Sequence, residues 1–107
     1  MSDKLLNFLG LCRRAGKLTM GNDMVIEDVV KGNSKLVIIA SDISKNTEKK
    51  ILLNCHRNNT KVLKINRSKD EMSYAIGKFS TVVSVTDQGF AKKFAELITN
   101  EMQEENV

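Results

Sequence analysis

The residues best suited to chemistry in this chain gather around a glycine. Leu18-Thr19-Met20 reads as a short strand, Gly21 ends it, and Asn22-Asp23 open a helix at once. The first backbone N–H groups of a helix have no partners within it, and the dipole at that end is positive. Such an end can meet a phosphate or a base edge. Gly21 has no Cβ to hold a partner off. Asn22 offers a donor and an acceptor, and Asp23 can accept from the N1 and N2 hydrogens of guanine. Arg13, Arg14 and Lys17 precede this segment, while Lys31 and Lys35 bracket the far end of its helix. The chemistry implied is recognition of an anion rather than bond-making.

Motifs for bond-making are missing. The sequence has no GxxxxGK[ST] or GxGxxG phosphate loop, no His-Glu-x-x-His, no CxxC and no Gly-x-Ser-x-Gly. Ser41, Asp42 and His56 could supply a triad by type, and Asp42 follows a strand end of the kind where ligands sit in open α/β sheets. The plainer reading makes Asp42 a loop or capping aspartate and His56 a solvated residue near a helix C-terminus. Cys12 and Cys55 each stand alone in an apolar-periodic helix pattern, which suits two small buried hydrophobes and no zinc framework. No catalytic residue, metal, cofactor or small-molecule substrate is expected.

The chain carries a net charge of +4. Glu101, Glu104 and Glu105 lie in the last seven residues, so residues 1–100 taken alone reach +7, three acids fewer. A basic body favours an anionic partner. Lys45 and Lys49, four apart on one helix face, with Lys50 beside them, add either a solvated face or a phosphate contact. The longest apolar run, Leu36 to Ala40, has strand length and cannot span a membrane. Neither end reads as a targeting segment. A cytoplasmic protein is expected, with one domain over residues 1–100 and an acidic tail, 101–107, that frays.

Which elements would position these residues? Residues 3–15 carry Leu5, Leu6, Leu9, Cys12 and Ala15 at helical spacing, with Ser2 as N-cap and Gly16 after the last turn. The helix opened by Gly21 and Asn22 presents Val25, Ile26, Val29 and Val30 and stops at Gly32. Residues 35–40 form an unalternating strand, which must be covered on both faces. Ser44 caps a third helix with Ile51, Leu52 and Cys55 turned inward, and Val62–Ile65 forms another strand. Ser68-Lys69-Asp70-Glu71 has capping-box spacing, and its helix ends at Gly77. Val82–Val85 is the last strand. Asp87 caps the last helix, whose inner face is Phe90, Phe94, Leu97 and Ile98. The order α-β-α-β-α-β-α-β-α predicts a three-layer α/β/α sandwich around a four-stranded mixed sheet.

Three stretches resemble a known family. They are the Lys-Gly-x-Ser-Lys-Leu-Val-Ile-Ile-Ala-Ser-Asp run ending at Asp42, the Asn46-Thr47-x-Lys49-Lys50 run, and Val83-Ser84-Val85-Thr86-Asp87-Gln88-Gly89-Phe90-Ala91. With Gly21 they are similar to the kink-turn RNA-binding superfamily of the ribosomal proteins L-seven-Ae and L-thirty-e, and within it to the small YlxQ-like bacterial branch found near translation genes. The resemblance covers nearly the whole chain and implies the same sandwich. It also implies an RNA surface made of the helix start after the first strand and the loop between the fourth helix and fourth strand. By position these fall on Gly21–Asp23 and on Gly77-Lys78-Phe79-Ser80. Phe79 would pack against a flipped-out base or bury itself beneath the sheet edge.

The family pattern Gly-x-Asn-Glu-x-x-Lys is altered here. With Gly21 aligned, its Asn, Glu and Lys positions hold Asp23, Met24 and Glu27; slid by one, Asn22-Asp23 replaces Asn-Glu and Ile26 takes the lysine position. A carboxylate at 27 repels a phosphate unless it is turned aside. The resemblance therefore implies a non-catalytic, ribosome- or translation-associated protein for structured RNA, kink-turns among the candidates. It would bind through the 21–35 helix and the 77–80 loop, with Lys17, Gly21, Asn22, Asp23, Lys31, Lys35, Lys78 and Phe79 as contacts. The competing expectation is a protein-interaction module that keeps the fold without kink-turn recognition.

Overall fold

The computed structural model describes residues 3–105. Alternation along the central strand explains the architecture. In β2 (Leu36–Ile39) all four residues are buried, but they serve two different cores. Leu36, Ile38 and Ala40 join the core under α1 (Lys4–Arg14), α4 (Lys69–Ile76) and α5 (Gln88–Glu105). Val37 and Ile39 join the core under α2 (Asn22–Val30) and α3 (Lys45–Arg57). A period of two with both faces apolar is what a strand covered on both sides requires. The molecule is therefore the expected α/β/α sandwich, with three helices on one face and two on the other.

The sheet is mixed, in the order β1-β4-β2-β3, with β1 (Leu18–Met20), β3 (Val62–Lys64) and β4 (Val82–Val85) around β2. β4 runs antiparallel to both β1 and β2, whereas β2 and β3 are parallel. Ser84, fully buried in β4, is satisfied by donating to Ser34 Oγ at 2.7 Å. The interior thus carries no lost hydrogen bond at that position. Gly10 lets α1 lie against α4, because a Cβ there would stand 3.0 Å from the Ala75 carbonyl oxygen. On the same side Phe8 meets Phe94 edge-on, with ring centroids 4.7 Å apart.

Several local expectations change. The proposed cap Ser2 lies outside the described residues, and Asp3 is the observed N-cap of α1, accepting from the Leu6 N–H at 3.1 Å. Asp3 is held there by Arg67, whose guanidinium grips it through both oxygens and also binds Glu101. Val30 and Leu52, assigned to inner faces, are 58% and 43% exposed. Each sits next to the buried stripe of its helix, so their apolar character did not distinguish flank from face. The capping box at Ser68 and Glu71 and the left-handed Gly77 behind it form as expected. Asp87 accepts from the Phe90 N–H at the start of α5. That helix continues to Glu105, and Glu101 is tied to Arg67 within it.

Candidate nucleic-acid interface

Strand β1 delivers the chain to Gly21 at one end of the sheet. Met20 faces Val83 in the antiparallel ladder, and the Gly21 N–H extends it toward the Val82 carbonyl, 3.4 Å away. The same N–H donates to Ser80 Oγ at 3.1 Å. Gly21 adopts φ 93° and ψ 147°, a region effectively reserved for glycine. No side chain caps α2, so its first N–H groups are left for solvent or a ligand. Asn22, Asp23 and Met24 are all exposed beside them.

The loop side is built as firmly. α4 stops at Gly77 in the left-handed conformation, and the Arg13 guanidinium donates to the Ile76 carbonyl to close the helix end. Ser80, 3% exposed, donates its N–H to Ser73 Oγ at 3.0 Å and receives the Ser73 hydroxyl on its own carbonyl. Its hydroxyl donates on to the Val82 carbonyl. With Ser80 pinned inward, Lys78 and Phe79 turn outward; Phe79 is 67% exposed rather than folded beneath the sheet edge.

The eight expected contact residues fall at two poles. Gly21, Asn22, Asp23, Lys78 and Phe79 gather where β1 ends and β4 begins. Lys17 and Lys35 lie at the opposite end of the sheet: the Lys17 carbonyl accepts from Thr86, and the Lys35 N–H donates to Val85. Lys31 lies beyond the far end of α2, about 15 Å of helix from Gly21. Lys31 and Lys35 therefore stand apart from Lys78 and the Gly21 end, with the length of α2 and of the sheet between them. Lys31 is moreover engaged, its ammonium 2.6 Å from Glu27 Oε1 on the same helix. That partner holds the Glu27 carboxyl below the usual carboxylate range by hydrogen bonding and charge, and raises Lys31 in return. Glu27 is thus turned toward Lys31 instead of standing alone.

A shallow groove extends the Gly21 pole in a direction the contact set above omits. Asn46, Thr47 and Lys50 of α3 face Asn22, Asp23 and Ile26 of α2 across it. The start of α3 is fixed there by Ser44, whose hydroxyl caps the Thr47 N–H. The family-like Asn46-Thr47-x-Lys49-Lys50 run was the available signal. Sequence alone could not bring it to Gly21, because only the packing of α2 on α3 does so.

The triad candidates do not assemble. Asp42 accepts the Lys69 N–H at 2.7 Å and so helps to cap the start of α4. His56 is exposed in the last turn of α3, the length of that helix away from the Asp42 side. Cys12 and Cys55 belong to the two different cores. Burial, helped at Cys12 by the charge of Asp87, pushes their thiols up to about 12 and about 11. Among the described residues no three His, Cys, Asp or Glu side chains group as metal ligands, and no helix is long and apolar enough to cross a membrane.

Comparison with known proteins places the chain in a family. The chain is 38% identical over 95 residues to the RNA-binding protein YlxQ of Enterococcus faecium, covering 89% of this chain and 91% of that one. It is 40% identical over 91 residues to the RNA-binding protein YlxQ of Bacillus subtilis, covering 84% and 90%. A solved Bacillus halodurans protein of unknown function superposes with a TM-score of 0.85 at 36% identity, over 92% of this chain and 99% of that chain. The Giardia lamblia 15.5kD RNA binding protein shares the fold, with a TM-score of 0.73 at 20% identity over 94% of this chain and 92% of that one. The family model described as ribosomal protein L7Ae/L30e/S12e/Gadd45 matches residues 3–95, and the chain belongs to that family.

Proposed function

We propose that this chain is a non-catalytic, cytoplasmic RNA-binding protein that serves translation and grips structured RNA, kink-turns included, at the Gly21 pole. The observation carrying this reading is the hydrogen bond from Gly21 to Ser80. It joins the uncapped start of α2 to the 77–80 loop and leaves Asn22, Asp23 and Phe79 exposed on one edge. Helix N–H groups and Asn22 suit phosphates and base edges. Phe79 offers a ring to an unstacked base, and Lys78 and Lys50 supply charge on either side. The curated relatives named for RNA binding support the partner class. The family's ribosomal description makes ribosomal RNA the first place to look.

The test is equilibrium binding to a kink-turn RNA and to a control with its G·A pairs replaced, across a salt series. Binding of the kink-turn, weakening steeply with salt as phosphate contacts are lost, is the expected result. No binding of either RNA at low salt overturns the reading. Met24 and Val30, apolar yet 56% and 58% exposed on α2, favour one rival, a protein-docking surface. A pull-down that survives nuclease and depends on the Asn22–Glu27 segment would support that rival instead.

A further inference from the structure

One surface beside the Gly21 pole is left unused by this reading. Between α1 and α4 runs an open groove whose walls include Leu6, Asn7, Arg14 and Tyr74. At its floor Gly10 brings the two helices together at the Ala75 carbonyl, and Arg14 Nη1 lies against the same glycine. Tyr74 is 91% exposed, the most exposed of the large apolar side chains described. A ring held out on a structured helix presents both a face and an edge to a planar partner at little ordering cost.

The charges around the ring are unequal. Arg13 is committed to the Ile76 carbonyl, and Arg67 to Asp3 and Glu101. Arg14 makes no hydrogen bond or ion pair with any described residue. Asp3, which also borders the groove, has its carboxylate taken by Arg67. Asp70 stands one turn before Tyr74 on α4 and marks the acidic limit of the strip, while Glu71 is held in the capping box. Toward Gly77 the charge is positive, from Arg13, Arg14 and Lys78.

The α4 wall of the groove is tied to the Gly21 pole by hydrogen bonds. Ser73, the neighbour of Tyr74, exchanges two hydrogen bonds with Ser80, and Ser80 receives the Gly21 N–H. We infer that Tyr74 and Arg14 clamp an unpaired nucleotide that runs on from the RNA held at the Gly21–Ser80 edge. The inference rests on the RNA-binding reading above. Stacking on Tyr74 tolerates any base, since every base has a π-face. Arg14 offers a forked donor set to the adjoining phosphate.

The experiment compares one kink-turn hairpin in two forms, blunt and with a five-nucleotide single-stranded uridine tail. The tail should strengthen binding to the unaltered protein about tenfold, the range of a single base–aromatic stack. Tyr74→Ala and Arg14→Gln should each erase most of that gain, Tyr74→Phe should keep it, and the blunt hairpin should bind all four proteins alike. A 4-thiouridine in the tail should cross-link to the peptide containing Tyr74. A tail without effect, a gain that survives Tyr74→Ala, or an equal loss for both RNAs overturns the clamp while the RNA-binding reading stands. Failure of both hairpins to bind overturns the reading beneath and the clamp with it.

Discussion

The Gly21 N–H and the Ser80 hydroxyl, 59 residues apart in the chain, meet at 3.1 Å and lock a helix start to a loop. The Ser80 hydroxyl also donates to the Val82 carbonyl, while the Ser80 backbone bonds the Ser73 side chain, so side chain and backbone together hold the 77–80 loop at the end of the sheet. Ser80→Ala should cost about 1–2 kcal/mol, since partly buried donors and acceptors lose their partner. It should also weaken RNA binding, although Ser80 itself is 3% exposed. Urea unfolding and RNA titration of the same variant check both effects.

Two glycines should respond to alanine for different reasons. At Gly21 a Cβ has open space around it, so the cost lies in the backbone conformation, φ 93°. Gly21→Ala should lose about 1–3 kcal/mol and disturb the helix start where RNA is proposed to bind. At Gly10 the backbone is helical, and the cost is crowding against Ala75. Better helix propensity offsets part of that, leaving a net loss of about 1 kcal/mol. Denaturation midpoints should fall for both, whereas RNA affinity should fall for Gly21→Ala alone.

The elements that fold on local terms were legible in the sequence. The capping box at Ser68, the stop at Gly77 and the cap at Asp87 each need residues within a turn of one another. The unbroken apolar run in β2 announced two covered faces. The insertion of β4 between β1 and β2 was not legible, because periodicity says nothing of strand order. Asp3, the observed cap of α1, is bound by a partner 64 residues away, Arg67, which no local pattern announces. Lys31 and Lys35 were legible as residues bracketing the far end of α2, but their distance from Lys78 follows only from how the strands pair. Placing Lys50 beside Asn22 required the packing of α2 on α3.

Arg67 makes an acid-sensitive tie between α1 and α5. Its hydrogen bond holds the Asp3 carboxyl below the usual carboxylate range, against the opposing effect of burial. A carboxyl whose folded pKa is depressed contributes stability that is complete above its unfolded value of about 4. That contribution is lost as pH falls through the lower folded value. Urea midpoints measured from pH 7 down to pH 2 should therefore drop steeply below about pH 4. Arg67→Met should lower stability at pH 7 by about 2 kcal/mol, the worth of lost bonds to charged groups, and should flatten that drop. An equally steep acid limb in Arg67→Met would show that other carboxyls set it.

Glu27 offers the most direct test of which RNA the Gly21 pole prefers. With Gly21 aligned to the family pattern, position 27 is where a lysine would stand. Its carboxylate is exposed and turned to Lys31, one turn toward the far end of α2. Glu27→Lys changes the local charge by two units and releases Lys31 without disturbing the core. Stability should therefore change little, while kink-turn affinity should rise at least tenfold at low salt. Added cations that meet phosphates should also steepen the dependence of binding on salt, by about one unit of slope for each new contact. The charge-neutral Glu27→Gln should give a smaller gain, because it removes repulsion without supplying a contact. Equal affinities for all three proteins would show that RNA does not reach this turn of α2.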